Sequence, residues 1–251
     1  MMVKGFDGEP FTQEELDEIL YGVRILSLEN PIISSLLARV VDVTTPTYQL
    51  RRCVEELSMF MAYEIAKTFP MEEIRVRTPM GEVAIYHRIP EEELPVLFDI
   101  LGASIYSTVG FERVFKGAPH AIISARRRGK GLEELEVELR YERIPKIDGK
   151  PVIFIDPAIA TAYTLTGIYR LLENNEEKYG KIGKVIICGF VAAPFGIKRI
   201  KDVIPEAEIY VGSVSTLLNK KCYIHGPGYK GVGGGGIGDA GDRFLNVIPV
   251  D

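Results

Sequence analysis

The sequence predicts an α/β protein in which a parallel sheet is flanked by helices, behind an N-terminal helical segment and a β-hairpin and ahead of a glycine-rich C-terminal hood. Three observations carry this. From Leu94 onward, short apolar runs alternate with helical stretches, as in a parallel sheet covered by crossover helices. Upstream, apolar residues recur at helical spacing. Between the two regions, alternating segments bracket a cluster of turn residues.

Taken in order, Thr12 and Glu15 form a capping box before the amphipathic stretch Glu14 to Leu26, which predicts the first helix. A second helix starts at Pro31 and carries Ile32, Ile33, Leu36, Leu37 and Val40. The third runs from about Tyr48 to Phe69, with Leu50, Val54, Leu57, Met61 and Ile65 along one face. Glu73 to Arg77 and Glu82 to Tyr86 flank Pro79-Met80-Gly81 and read as a hairpin. The sheet strands are Val96 to Leu101, Ala121 to Ala125, Val152 to Ile155, Val185 to Phe190 and Ile209 to Val211, with crossover helices at Thr164 to Leu172 and Phe195 to Val203. No repeat or Pro/Ser-rich linker divides the 251 residues, so a single domain spanning 1–251 is expected.

Composition narrows the function. The chain is 46% hydrophobic and 26% charged, ordinary globular usage. Its net charge of -5, from 30 basic and 35 acidic side chains, lacks the cation surplus of phosphate-tracking proteins, so nucleic-acid binding is not expected. Cys53, Cys188 and Cys222 are odd in number and widely spaced, which indicates neither a disulfide framework nor a zinc site. The apolar run Leu94 to Phe111 is broken by Pro95, Asp99, Gly102, Ser104 and Ser107, and the first residues hold no signal-like stretch. A cytoplasmic protein with no membrane partner is the expectation. His87, His120 and His225 have no ligand spacing, and no protein-held metal is expected.

Ligands of such sheets bind beyond the carboxyl ends of the strands, which directs attention to the segment after each strand. In Val152 to Thr164 an apolar strand ends in Asp156, and Pro157, Ala158, Ile159, Ala160, Thr161, Ala162, Tyr163 and Thr164 lead into a helix. Such a loop offers backbone N–H groups and hydroxyls to a phosphate, and its carboxylate suits sugar hydroxyls. The same pattern also suits a plain strand end with Thr161 or Thr164 capping a helix. Near the C-terminus, Gly233 to Arg243 combines many glycines with Asp239 and Asp242, which lets backbone groups approach a flat ligand closely, or forms a flexible loop. Gly231 to Gly236 formally fits Gly-x-Gly-x-x-Gly, yet it neither continues from a buried strand nor opens a helix, so the dinucleotide reading fails.

Together these segments resemble the uracil phosphoribosyltransferase family. DPAIATAYT (Asp156 to Thr164) is similar to the family's phosphoribosyl pyrophosphate loop DPMLATGGS, and GIGDAGDR (Gly236 to Arg243) to its uracil-binding GLGDAGD(R/K). GFVAAPFGI (Gly189 to Ile197) and LNKKCYI (Leu218 to Ile224) resemble the family's LVAAPEGI and LNEHGYI, in the same chain order. The likeness extends from Asn30 to Phe244. It implies a type I phosphoribosyltransferase-like core that transfers phosphoribose from phosphoribosyl pyrophosphate to uracil, giving UMP and pyrophosphate in pyrimidine salvage. By the same resemblance, Asp156 to Thr164 cradle the sugar phosphate, and Ile224, Gly238, Asp239 and Ala240 frame the pyrimidine. Arg127 meets the pyrophosphate, so that Arg127, Asp156 and Asp239 are the candidate catalytic residues. Gly129-Lys130-Gly131 would be a closing loop. Mg²⁺ is implied as a passenger of the phosphoribosyl pyrophosphate, and a homodimer or higher homo-oligomer as the assembly.

The sequence departs from the family at three places. Gly102 in DILGASI stands where the family's ILRAG has arginine, removing a pyrophosphate contact that Arg126 or Arg128 would have to replace. Tyr163 replaces a small residue, where its bulk narrows the phosphate pocket or its hydroxyl donates to the phosphate. Gly226 to Gly235 lengthens the segment before the GDAGD motif, so a reshaped base pocket is expected. These departures leave two rival readings: a degenerate homologue that binds phosphoribosyl pyrophosphate or a nucleotide as a sensor, and a phosphoribosyltransferase for another base.

Overall fold

Thr12 caps the first helix, α1 (Gln13–Leu20), as its capping box with Glu15 predicts: Glu15 N donates to the Thr12 hydroxyl, and Thr12 N to the Glu15 carboxylate at 2.7 Å. The computed structural model describes residues 4–6, 9–102, 104–128 and 136–247. Helix α1 stops short of Leu26, because Gly22 turns the chain into the short strand β1 (Arg24–Ile25), followed by α2 (Leu26–Glu29). Asn30 then caps α3 (Pro31–Val41) by accepting from Ile32 N and Ile33 N, and α4 (Thr47–Ala66) comes next. Strands β2 (Glu72–Arg77) and β3 (Val83–Arg88) form the expected hairpin, with Ile74 opposite Tyr86.

The sheet region runs β4 (Val96–Ile100), α5 (Ile105–Val114), β5 (His120–Arg128), β6 (Glu136–Arg143), β7 (Val152–Ile155), β8 (Ala158–Ile159), α6 (Tyr163–Glu173), α7 (Glu176–Tyr179), β9 (Val185–Ala192), α8 (Pro194–Val203), β10 (Glu208–Leu218), β11 (Ile224–Gly228) and α9 (Ala240–Leu245). Among the described residues the strand order is β1-β10-β9-β7-β4-β5-β6, parallel throughout its centre. Every residue of β7 and β9 is buried, as expected of strands covered on both faces. One core lies beneath α3 and α4, around Leu57, Met61, Ile153 and Phe190. The other lies beneath α6 and α8, around Phe98, Phe154, Leu165 and Ile200.

The sheet is parallel at its centre as expected, and antiparallel strands are added at its edges. Strand β5 continues through Arg128, three residues past the expected end at Ala125, and β6 pairs with it antiparallel, Arg127 opposite Val137. Strand β6 escaped detection because Glu136–Arg143 alternates charges with Val137, Leu139 and Tyr141 and has no apolar run. On the other side β11 pairs antiparallel with β10.

From the adjacent strands β4 and β7 the chain departs in opposite directions, to β5 on one side and to β9 on the other. Ligand crevices of open α/β sheets form at such a reversal, beyond the carboxyl ends of the two strands.

Candidate active site

A cleft of about 540 Å³ opens at that place. Its walls come from the end of β4 (Ile100, Leu101, Gly102), Ala125 of β5, Asp156, Ala158, Ala160 and Thr164 after β7, the turn Lys221 to Ile224, and Ile237 to Gly241. The volume suits a small-molecule ligand. The two motifs separated by most of the C-terminal half of the chain thus face one space.

Asp156 leaves β7 with its N–H still bonded to Cys188 O at 3.0 Å, while its carboxylate accepts from Ala158 N at 3.2 Å. Strand β8 then lies along β9, and Ala162 takes a left-handed conformation, φ 57°, as the residue before α6. Helix α6 has no side-chain cap at Ala162. The first turn of α6 thus starts at the cleft, with Ala160 and Thr164 in the wall, and a helix N-terminus so placed suits a phosphate. Helix α8 presses on this loop from behind. A Cβ on Gly196 would fall 2.5 Å from Ala160 O, so the glycine of GFVAAPFGI is what permits the approach.

Asn219 organises the other wall. Its Oδ1 accepts from Lys221 N at 2.9 Å and from Tyr223 N at 3.0 Å, curling residues 219–223 ahead of Ile224, with Cys222 at φ 63°. Asp239 is the N-cap of α9, its Oδ1 accepting from Asp242 N at 3.0 Å. Arg243 anchors that helix by donating to Val40 O, Ile237 O and Asp42 O, and the burial that this requires lowers its pKa.

Of the residues expected in the site, Asp156, Ala158, Ala160 and Thr164 line the cleft, as do Ile224, Gly238, Asp239 and Ala240. Pro157, Ile159, Thr161, Ala162 and Tyr163 lie buried behind the surface of the loop and do not line it. Tyr163 is turned toward α8, with the Arg199 guanidinium 3.5 Å from its ring centroid, so its bulk neither narrows the cleft nor fills it. The lengthened segment also leaves the cleft alone. Gly235 N bonds to Gly226 O, Pro227 bridges Gly234, and the Tyr229 hydroxyl donates to Asp17 of α1, so the insertion folds back onto the N-terminal helix. The side chain of Arg127 and the loop Gly129-Lys130-Gly131 lie outside the described residues.

Sequence reasoning missed Lys221, whose position in the cleft wall adds a cation to the site. The paired lysines of LNKKCYI, set where the family has acid and histidine, were the available signal. No group of three or more potential metal ligands occurs among the described residues.

The sequence matches the uracil phosphoribosyltransferase family over residues 27–246. A uracil phosphoribosyltransferase of Thermococcus gammatolerans is 38% identical over 222 residues, covering 87% of this chain and 91% of that protein. Another, of Aquifex aeolicus, is 33% identical over 226 residues, covering 89% and 98%. The solved structure of the AQ2163 protein from Aquifex aeolicus superposes with a TM-score of 0.69 at 32% identity, covering 87% of this chain and 96% of that one.

Proposed function

The chain belongs to the uracil phosphoribosyltransferase family, and on that premise we propose that it transfers phosphoribose from phosphoribosyl pyrophosphate to uracil, giving UMP and pyrophosphate. The proposal rests above all on the meeting of Asp156 to Thr164 with Gly238 to Gly241 across one cleft at the reversal point of the sheet.

In this reading the substrate enters as its Mg²⁺ complex, the ion held mainly by the phosphates. The N–H groups opening α6 and the Thr164 hydroxyl take the 5-phosphate, and Asp156 orients the ribose hydroxyls. The backbone around Ile224, Gly238 and Ala240 meets the imide edge of uracil, with Asp239 beside the ribose. The bond from uracil N1 to the anomeric carbon forms as the bond to the pyrophosphate oxygen breaks, and the N1 proton passes to the departing pyrophosphate. Positive charge grows on the sugar and negative charge on the leaving group, so the protein's tasks are positioning, charge neutralisation and exclusion of water. Lys221 and Arg127 are the cations assigned to the leaving group.

The hairpin supports a homodimer or larger assembly. Met80 in the turn and Val83, Ile85 and Tyr86 on β3 are 86%, 64%, 54% and 59% exposed, and a two-stranded sheet is marginal alone and gains from a second copy packed on it. We place the protein in the cytoplasm on the odd number and wide spacing of Cys53, Cys188 and Cys222, which suit no disulfide framework. Among the described residues no helix is long and apolar enough to cross a membrane.

Gly102 favours the sensor reading as the alternative, since it leaves the family's arginine position without a cation. Chromatographic detection of UMP from phosphoribosyl pyrophosphate, Mg²⁺ and uracil tests the two. Transfer predicts UMP with the wild type and its loss in Asp156→Ala, whereas tight binding without UMP supports the sensor.

A further inference from the structure

The turn after β4 departs from the family's ILRAG twice: Gly102 replaces the arginine, and Ser104 replaces the final glycine. Ser104 is fully buried at the residue before α5, yet its side chain does not cap that helix. Its hydroxyl turns back to β4 instead, bonding to Asp99 Oδ1 and standing 2.6 Å from Ile100 O. Asp99 and its neighbours in the strand alternate between the two faces of the sheet. Leu97 enters the core beneath α4 and Phe98 the opposite core, which puts Asp99 on the α4 and α5 side. There its half-buried carboxylate sits beside Thr108 and His120, and His120 Nε2 lies 3.2 Å from Glu112 Oε1. The next three residues, Ile100, Leu101 and Gly102, form the cleft wall.

A glycine in place of arginine removes a cation and also frees the backbone of the turn, since glycine has the largest conformational entropy to lose. A buried serine bonded to the strand that it leaves counters that freedom. Resting on the reading that the cleft takes phosphoribosyl pyrophosphate, we propose that Asp99 and Ser104 are positioning residues that clamp the pyrophosphate-side wall, holding Gly102 so that its backbone faces the leaving group.

Steady-state kinetics of Ser104→Ala test the clamp. The KM for phosphoribosyl pyrophosphate should rise about five- to tenfold, the effect of one buried hydrogen bond, while kcat and the KM for uracil stay within about twofold. Asp99→Asn keeps an acceptor and should retain the wild-type KM, Asp99→Ala should match Ser104→Ala, and the double variant Asp99→Ala/Ser104→Ala should be no worse than either. An unchanged KM for phosphoribosyl pyrophosphate, or a fall in kcat alone, overturns the proposal. If Ser104→Ala does not fold, the contrast between Asp99→Ala and Asp99→Asn decides it. Hydrogen exchange of the peptide carrying Leu101 and Gly102 separates the clamp from the function reading. Faster exchange in the Ala variants supports the clamp even if the wild type makes no UMP, and equal exchange overturns it.

Discussion

Gly241 rests against Gly102: a Cβ on Gly241 would stand 3.7 Å from the Gly102 carbonyl carbon and 3.8 Å from its oxygen, whereas a Cβ on Gly102 would meet nothing within 4 Å. Helix α9 is thereby seated on the backbone that follows β4. Position 102 has room for a side chain, but its φ of 129° is one that L residues rarely adopt. Gly102→Arg should therefore lower stability by about 1–3 kcal/mol and leave turnover no higher, as read by thermal melting and pyrophosphate release. A variant both stable and faster would show that only the missing cation matters here.

The stack of Arg199 on Tyr163 predicts a structural role for the ring. Tyr163→Ala should cost about 3 kcal/mol of stability. Tyr163→Phe keeps the stack and should leave the KM for phosphoribosyl pyrophosphate unchanged. A raised KM in the Phe variant would mean that the hydroxyl reaches the phosphate.

Tyr229→Phe should cost about 1–2 kcal/mol by releasing the inserted segment from Asp17. Uracil KM should not move, because no residue of that segment lines the cleft. A several-fold change would place the insertion in base recognition after all.

Burial raises the Asp99 carboxyl pKa, opposed by its bond from Ser104 and by nearby His120. The folded state then binds more protons than the unfolded one in the interval above the usual value of about 3.9, so this group's contribution to stability falls as pH rises through that interval. Asp99→Asn should accordingly raise the melting temperature at pH 7, with the gain disappearing below about pH 4. A gain independent of pH would contradict the assignment to Asp99 ionisation.

The central strands and the crossover helices α6 and α8 were legible because burial writes apolar runs and stripes into the sequence, Val152 to Ile155 being the plainest. Strand β6 was not, since an edge strand spells charges between its apolar residues. In the site, the small residues and hydroxyls of DPAIATAYT announced a loop before a helix. Which of them face the cleft depends on β8 pairing with β9 and on α8 closing from behind, contacts that no local pattern contains. Tyr163 and the Gly226 to Gly235 insertion looked like changes to the pocket, yet partners on α8 and α1 draw both away from it.

If one cleft joins a sugar-phosphate loop to a pyrimidine-reading backbone, the decisive measurement is pyrophosphate release in the presence of phosphoribosyl pyrophosphate, Mg²⁺ and each nucleobase in turn. In the proposed reading, backbone donors and acceptors around Ile224 and Gly238, both in the cleft wall, meet the imide edge of uracil and leave the amino group of cytosine mispaired, a buried mismatch that is strongly disfavoured. Release is expected with uracil, and little with cytosine or the purines. Equal release with cytosine, or release with a purine alone, would refute the assignment of this cleft to uracil.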